Sequence, residues 1–219
     1  MPRKSSRRSA TGQQEMLLPG SGKRKPPPHL PEKTAPQRIF VALMPGMQAV
    51  VKACSVAENI SHGQRLAASL RPPRILHMTL CFIGDYLKTP HPVLFGASEA
   101  LSRLVAPDFE ARLDHAVDFR VRNGQRALVL CSSQPNDALS FLQQQVVEVL
   151  SEAGVISSRP GGFTPHMTLF YHQRQTPIET WWLDEPIVWR AGGFCLIESF
   201  YGQTRYVNHG DWPLSLDHG

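Results

Sequence analysis

Several kinds of chemistry are missing from this chain. Its 219 residues include only four cysteines, Cys54, Cys81, Cys131 and Cys195, and no Cys-x-x-Cys pair among them. Each lies among apolar neighbours, so buried reduced thiols are expected rather than a disulfide framework or a zinc ribbon. There is no His-Glu-x-x-His, no Gly-x-Ser-x-Gly elbow and no Gly-rich nucleotide loop. These absences speak against a zinc hydrolase, a serine hydrolase and an ATP-dependent ligase. No apolar run reaches the length of a secretory core or of a membrane span, and a soluble, cytoplasmic protein is expected.

Net charge is scarce once it is located. The formal charge is +5, yet residues 1–35 hold eight Lys/Arg against two Glu, and the remaining 184 residues hold fifteen Lys/Arg against sixteen Asp/Glu. The basic balance therefore belongs to the N-terminal stretch and gives the rest no reason to bind nucleic acid. Residues 1–35 mix Arg, Lys, Ser, Pro and Gly without periodicity, a composition that predicts a disordered basic tail. Its clusters Arg3-Lys4, Arg7-Arg8 and Lys23-Arg24-Lys25 suit weak RNA attraction or targeting, or a merely solvated extension. Residues 36–219 form the folded domain, with enough apolar content for one sizeable core or two small lobes sharing an interface.

What the chain does have is a repeated word. His-Met-Thr-Leu occurs at His77–Leu80 and again at His166–Leu169, each inside a short apolar run that reads as a strand. With side chains alternating across a strand, His77 and Thr79 share one face, as do His166 and Thr168. Met78, Leu80 and Phe82, like Met167 and Leu169, point the other way and would anchor the strands in a core. By the same alternation Cys81 shares the face of His77 and Thr79.

The surrounding pattern is strand, helix, motif strand, twice over. Arg38–Leu43 reads as the first strand, and a helix follows over about 46–60 with Met47, Val50, Val51 and Cys54 at helical spacing. Arg71-Pro72-Pro73-Arg74 blocks helix and delivers an extended chain into the first motif. Leu94, Ala97, Leu101 and Leu104 mark a second helix. Phe109–Val121 and Ala127–Cys131 form a hairpin through Asn123-Gly124. Asn136 caps a third helix that ends at Gly154, and the second motif strand follows. Ile187–Ile197 and Thr204–Val207 close the domain. The four tryptophans, Trp181, Trp182, Trp189 and Trp212, read as core or edge packing. The expectation is an α+β fold of two pseudo-symmetric lobes, with antiparallel sheets facing a central cleft and helices on the outside.

Two imidazoles from opposed strands meet the demands of phosphodiester chemistry. In-line displacement needs a base on one side of phosphorus and an acid on the other. Histidine, with an ordinary pKa near ~6.5, offers both protonation states near neutrality. Thr79 and Thr168 are placed to donate hydroxyl hydrogen bonds to phosphoryl oxygens. No metal or other cofactor is called for. The histidines stand 89 residues apart, each beside a threonine rather than a second ligand. The nearest additional histidine, His172, falls on the motif face only if the strand continues that far.

At these residues the chain resembles the two-histidine phosphoesterase superfamily, and more closely the bacterial 2′-5′ RNA ligase / RNA 2′,3′-cyclic phosphodiesterase family. The likeness runs from Arg38–Leu43 through both motifs to Leu196–Ser199, Arg205-Tyr206 and Trp212–Leu214. It implies metal-free opening of 2′,3′-cyclic phosphate ends of RNA or nucleotides to 2′-phosphomonoesters in a bilobal domain. It also implies roles: His77 as proton donor to the departing 3′ oxygen, His166 as proton acceptor from water, Thr79 and Thr168 as phosphate holders. Many relatives carry Arg where this chain has Tyr171, so Tyr171, Arg174 and Arg205 are further candidates for phosphate binding. The alternatives are ATP-independent 2′-5′ joining of RNA by the same residues, and a non-catalytic module that holds RNA ends. A monomer is expected.

Overall fold

The computed structural model describes residues 36–66, 68–121, 124–157 and 162–215. The basic stretch 1–35 lies outside the described residues, as do Arg122-Asn123 of the hairpin turn and residues 158–161 ahead of the second motif. Among the described residues the strands are β1 (Gln37–Leu43), β2 (Ser69–Leu70), β3 (Met78–Tyr86), β4 (Phe109–Arg120), β5 (Arg126–Cys131), β6 (Met167–His172), β7 (Trp181–Ala191), β8 (Gly193–Phe200) and β9 (Arg205–Pro213). The helices that join them are α1 (Met47–Gly63), α2 (His91–Leu101) and α3 (Asp137–Glu152), with a 3₁₀ turn at Pro73–Ile75. The expected strand Ile187–Ile197 is two strands, broken at Gly192, the first of which begins six residues earlier.

The strands form one antiparallel sheet in the order β7-β4-β5-β6-β3-β1-β8-β9, with β2 added to β6. The α+β class expected from the sequence is what the chain adopts. The lobes are not separate sheets, however. Their two motif strands are neighbours, joined at a single pair, Met78 opposite Met167. On either side of that joint stands a strand–helix–strand unit, β1-α1-β3 and β5-α3-β6, the repeat legible in the sequence.

The helices cover one face of this sheet. Met78, Leu80, Met167 and Leu169 point into that core alongside Ile39, Val41, Leu128 and Leu130. α3 begins at Asn136, whose Oδ1 accepts from the Leu139 amide at 3.0 Å, and buries Leu139, Leu142, Val146 and Leu150. It ends in a Schellman turn: Gly154 takes φ +67°, the Val155 amide bonds the Leu150 carbonyl, and the Gly154 amide that of Ser151. Gly tolerates that left-handed backbone at no steric cost, which is why it sits there. α1 differs from its sequence reading. Its buried face is Ala49, Ala53, Ala57 and Ile60, while Met47 and Val51 are 78% and 61% exposed. Alanines let this helix lie close to the sheet, and size rather than hydropathy chose the face.

The uncovered face carries two smaller apolar clusters. Phe40, Ala42, Cys195 and Ile197, with Tyr206 against them, lie on the β1/β8 side. Phe119, Ala127, Val129 and Cys131 lie on the β4/β5 side. Both motif strands are irregular at the same word position. In β3, Ala42 pairs with Thr79 and Val41 with Cys81, so Leu80 is an extra residue. In β6, Val129 pairs with Thr168 and Leu128 with Phe170, so Leu169 is extra. Each is a β-bulge, and each reverses the side-chain parity that follows it. This overturns two readings. Cys81 is buried in the helix-side core, not in the cleft with His77. Phe82 turns outward, where the Arg38 guanidinium lies 5.2 Å from its ring.

Candidate active site

The two motif histidines stand one residue ahead of their strands, on the uncovered face between the two small clusters. Continuing the antiparallel register of Met78 and Met167 by one residue each way sets His77 across from Thr168, and Thr79 across from His166. The histidines are then diagonal neighbours, and diagonal positions of an antiparallel pair lie about 7–8 Å apart. That is room for one phosphoryl group between two imidazoles, with a hydroxyl beside each.

Both rings are held the same way. His77 Nδ1 is 2.8 Å from the carbonyl of Ile75, and His166 Nδ1 is 2.7 Å from the carbonyl of Thr164. A carbonyl oxygen only accepts, so each Nδ1 carries a hydrogen and each Nε2 is the position where a proton comes and goes. The partner is two residues upstream in both cases, which turns each ring about its own backbone. Phenylalanine completes the setting: Phe40 stacks on His77 with centroids 4.8 Å apart, and Phe119 lies tilted beside His166 at 5.4 Å.

This environment disfavours imidazolium. Burial pushes His77 down from 6.5 to about 4; the bond to Ile75 opposes that shift, and the charges of Arg71 and His166 add to it. Burial lowers His166 as well, against its bond to Thr164. That His166 acts on His77 through its charge is a second sign that the rings share one space.

Arg71 is the site residue that sequence reading missed. Its amide donates to the Leu169 carbonyl at 2.8 Å, where β2 lays the chain along β6 with Ser69 opposite Tyr171 and Leu70 opposite Phe170. Its guanidinium donates to the Tyr206 hydroxyl at 3.0 Å and lies 5.9 Å from the Tyr171 ring centroid. The Tyr206 oxygen in turn sits 3.3 Å from His77 Nδ1. A cation is thus placed over the tyrosine that stands where relatives have arginine. Read along the sequence, Arg71-Pro72-Pro73-Arg74 announced only a helix stop; its nearness to the motif was the available signal.

The other candidates lie elsewhere. Arg174 donates to the Gln64 side chain at 2.9 Å, and Arg205 lies over the Phe200 ring at 3.6 Å. Tyr171 is 36% exposed on the cleft side. His172 is carried to the opposite face by the bulge at Leu169, although β6 does reach it. There its Nδ1 accepts from the Arg174 amide and its Nε2 is 3.3 Å from Asp118. Asp118 is sealed in place by Arg126 at 2.8 Å and by the Ile178 amide at 2.7 Å. This is a structural cluster. The thiols of Cys81, Cys131 and Cys195 are pushed up to about 12, in each case chiefly by burial, which leaves them inert.

Comparison with known proteins places this geometry. E. coli LigT in its apo form is 23% identical, with a TM-score of 0.63 over 83% of this chain and 99% of that one. LigT complexed with 3′-AMP is 22% identical, with a TM-score of 0.65 over 82% and 98%. TT0787 of Thermus thermophilus is 21% identical, with a TM-score of 0.65 over 83% and 100%. At such identity these structures share the fold with this chain. No curated protein matches the chain in sequence. The family model of the 2′-5′ RNA ligase superfamily matches residues 52–199, a span that includes both histidine motifs. The chain belongs to the 2′-5′ RNA ligase superfamily.

Proposed function

We propose that this protein hydrolyses 2′,3′-cyclic phosphate ends of RNA, or nucleoside 2′,3′-cyclic phosphates, to 2′-phosphomonoesters without a metal ion. One observation carries the reading: two imidazoles with identical carbonyl-fixed tautomers present their Nε2 atoms to one space, each beside a threonine. Neutral His166 Nε2 takes a proton from water as the oxygen attacks phosphorus in line. His77 Nε2–H protonates the 3′ oxygen as the P–O3′ bond breaks. Thr79 and Thr168 donate to the nonbridging oxygens, and Arg71 supplies the fixed positive charge that Tyr171 does not.

The low proton affinity of His77 fits an acid that gives its proton readily. A bound phosphate anion raises that affinity by replacing water as the partner of imidazolium. LigT, which shares the fold, has been crystallised with 3′-AMP, in keeping with a cleft that takes nucleoside phosphates. The protein acts in the cytoplasm on this reading; among the described residues no helix is long and apolar enough to cross a membrane. The test is hydrolysis of 2′,3′-cyclic AMP with and without EDTA. Formation of 2′-AMP at equal rates is the expected result. A 3′ product, a chelator-sensitive rate, or turnover surviving in a His77→Ala/His166→Ala double variant overturns the assignment.

A further inference from the structure

A cavity of about 930 Å³ opens on the His166 side of the site and is not needed for hydrolysis. It starts at Phe119, Thr164 and Pro165: the ring beside His166, the residue whose carbonyl fixes its tautomer, and the residue before it. Water occupies about 30 Å³, so a nucleophile pocket meant for water alone has no use for such a volume. Its apolar floor is the Phe119 cluster of the uncovered sheet face, and Arg112, Arg120 and Arg126 lie along its walls.

The far wall is a built polar feature. His115 lines the cavity and stacks against Trp182, with centroids 4.8 Å apart and planes 29° from parallel. Its Nδ1–H donates to Asp114 Oδ1 at 2.7 Å, which leaves Nε2 as a fixed acceptor. Asp114 is itself held by the Ser133 amide at 2.9 Å and the Ser133 hydroxyl at 2.7 Å. The loop that forms this wall is therefore rigid, and neither His115 nor Trp182 has a part in the two-histidine chemistry. A packing role for an edge-strand tryptophan accounts for the stack. It does not account for an oriented imidazole acceptor in a cavity beside the proton-accepting histidine.

We infer that this cavity is a second nucleoside subsite, holding the nucleoside whose 5′ oxygen stands in for water at phosphorus. The inference rests on the phosphodiesterase reading above and extends it. A 5′-hydroxyl bound there loses its proton to His166 Nε2 while its oxygen forms the P–O5′ bond. The P–O3′ bond breaks, and His77 delivers its proton to O3′. The product is a 2′-5′ phosphodiester, and the reverse sequence cleaves one. No further reactant is consumed. Aromatic rings at the mouth and far wall, with cations between, suit a base and its sugar.

The experiment is a competition among acceptors with the full chain. With 2′,3′-cyclic AMP as donor, adenosine and methanol are offered separately, and each transfer product is measured as a ratio to 2′-AMP. A subsite makes adenosine the better acceptor by on the order of 10²-fold per mole, since it is bound beside phosphorus rather than met by collision. His115→Ala and Trp182→Ala each lower the adenosine ratio roughly tenfold, the effect of losing one stacking or hydrogen-bonding contact, and leave the methanol ratio unchanged. Ratios are read on whatever fraction of a variant folds. If 2′-AMP forms but adenosine does no better than methanol, or if both ratios fall together, the subsite is refuted and hydrolysis stands. If neither product forms, the phosphodiesterase reading falls and takes the subsite with it.

Discussion

Lowering the pH should unfold this protein through His77, and the size of the effect follows from the site. The imidazole titrates at about 4 in the native chain instead of 6.5. Between those values the unfolded chain binds a proton at residue 77 and the native chain does not. Stability therefore rises with pH across that window and is lost as pH falls through it. At 1.36 kcal/mol per pH unit, the interval between 6.5 and about 4 is worth about 3 kcal/mol. That figure is a ceiling, because His77 keeps an edge open to the cleft and water there eases its protonation. Set against a typical total of about 5–15 kcal/mol, even half of it is plain to see. His166, lowered by burial too, adds in the same direction. The assay is urea unfolding of the native sequence and of His77→Gln at several values between about pH 7 and pH 4.5. Gln keeps a donor for the Ile75 carbonyl but has nothing to titrate. Its stability should fall less steeply with acid, the gap closing by as much as about 3 kcal/mol. Parallel curves for the two proteins would refute the reasoning.

The same depressed affinities shape catalysis. The productive form has one protonated and one neutral imidazole, and its population peaks between the two pKa values, both under 6.5. A bell-shaped kcat/KM profile for 2′,3′-cyclic AMP should thus have its optimum on the acid side of 6.5, while His77→Ala and His166→Ala each cost about 10²–10⁴ in kcat/KM; an optimum near 8 contradicts the burial argument. Arg71→Met should raise KM for the cyclic phosphate about tenfold or more, as expected for a lost charge-assisted contact, whereas Arg174→Met and Arg205→Met should change it less than about twofold; steady-state kinetics on the three variants decides which guanidinium faces the phosphate. Asp118→Asn should destabilise the fold by about 3–5 kcal/mol, because it leaves the half-buried Arg126 without its counter-charge; thermal unfolding reads this directly.

The chemistry of the site was legible because it is written in local sequence. The spacing of His77 to Thr79 and of His166 to Thr168, the Asn136 cap and the Gly154 stop depend on residues within a few positions of one another. What could not be read depends on partners far along the chain. The bulges at Leu80 and Leu169 are set by register against β1 and β5, and strict alternation along β3 therefore put Cys81 and Phe82 on each other's faces. The buried side of α1 was misjudged because Met47 and Val51 outrank alanine in hydropathy, while close approach to the sheet rewards small side chains. Arg71 went unnoticed since its part comes from β2 lying along β6, and its partner Tyr206 follows 135 positions later. The cleft's position at the joint of one continuous sheet, rather than between two, is likewise a matter of long-range pairing.

The hydrogen bonds from His77 and His166 to carbonyls of their own strands have an electrical consequence. Many enzymes orient an imidazole with a carboxylate, which makes the ring more basic and plants an anion beside the reactants. A main-chain oxygen steers the ring just as firmly and contributes no net charge. The floor on which a phosphate must land is thereby kept free of repulsion, and replacing neighbouring side chains leaves the steering intact because it resides in the backbone.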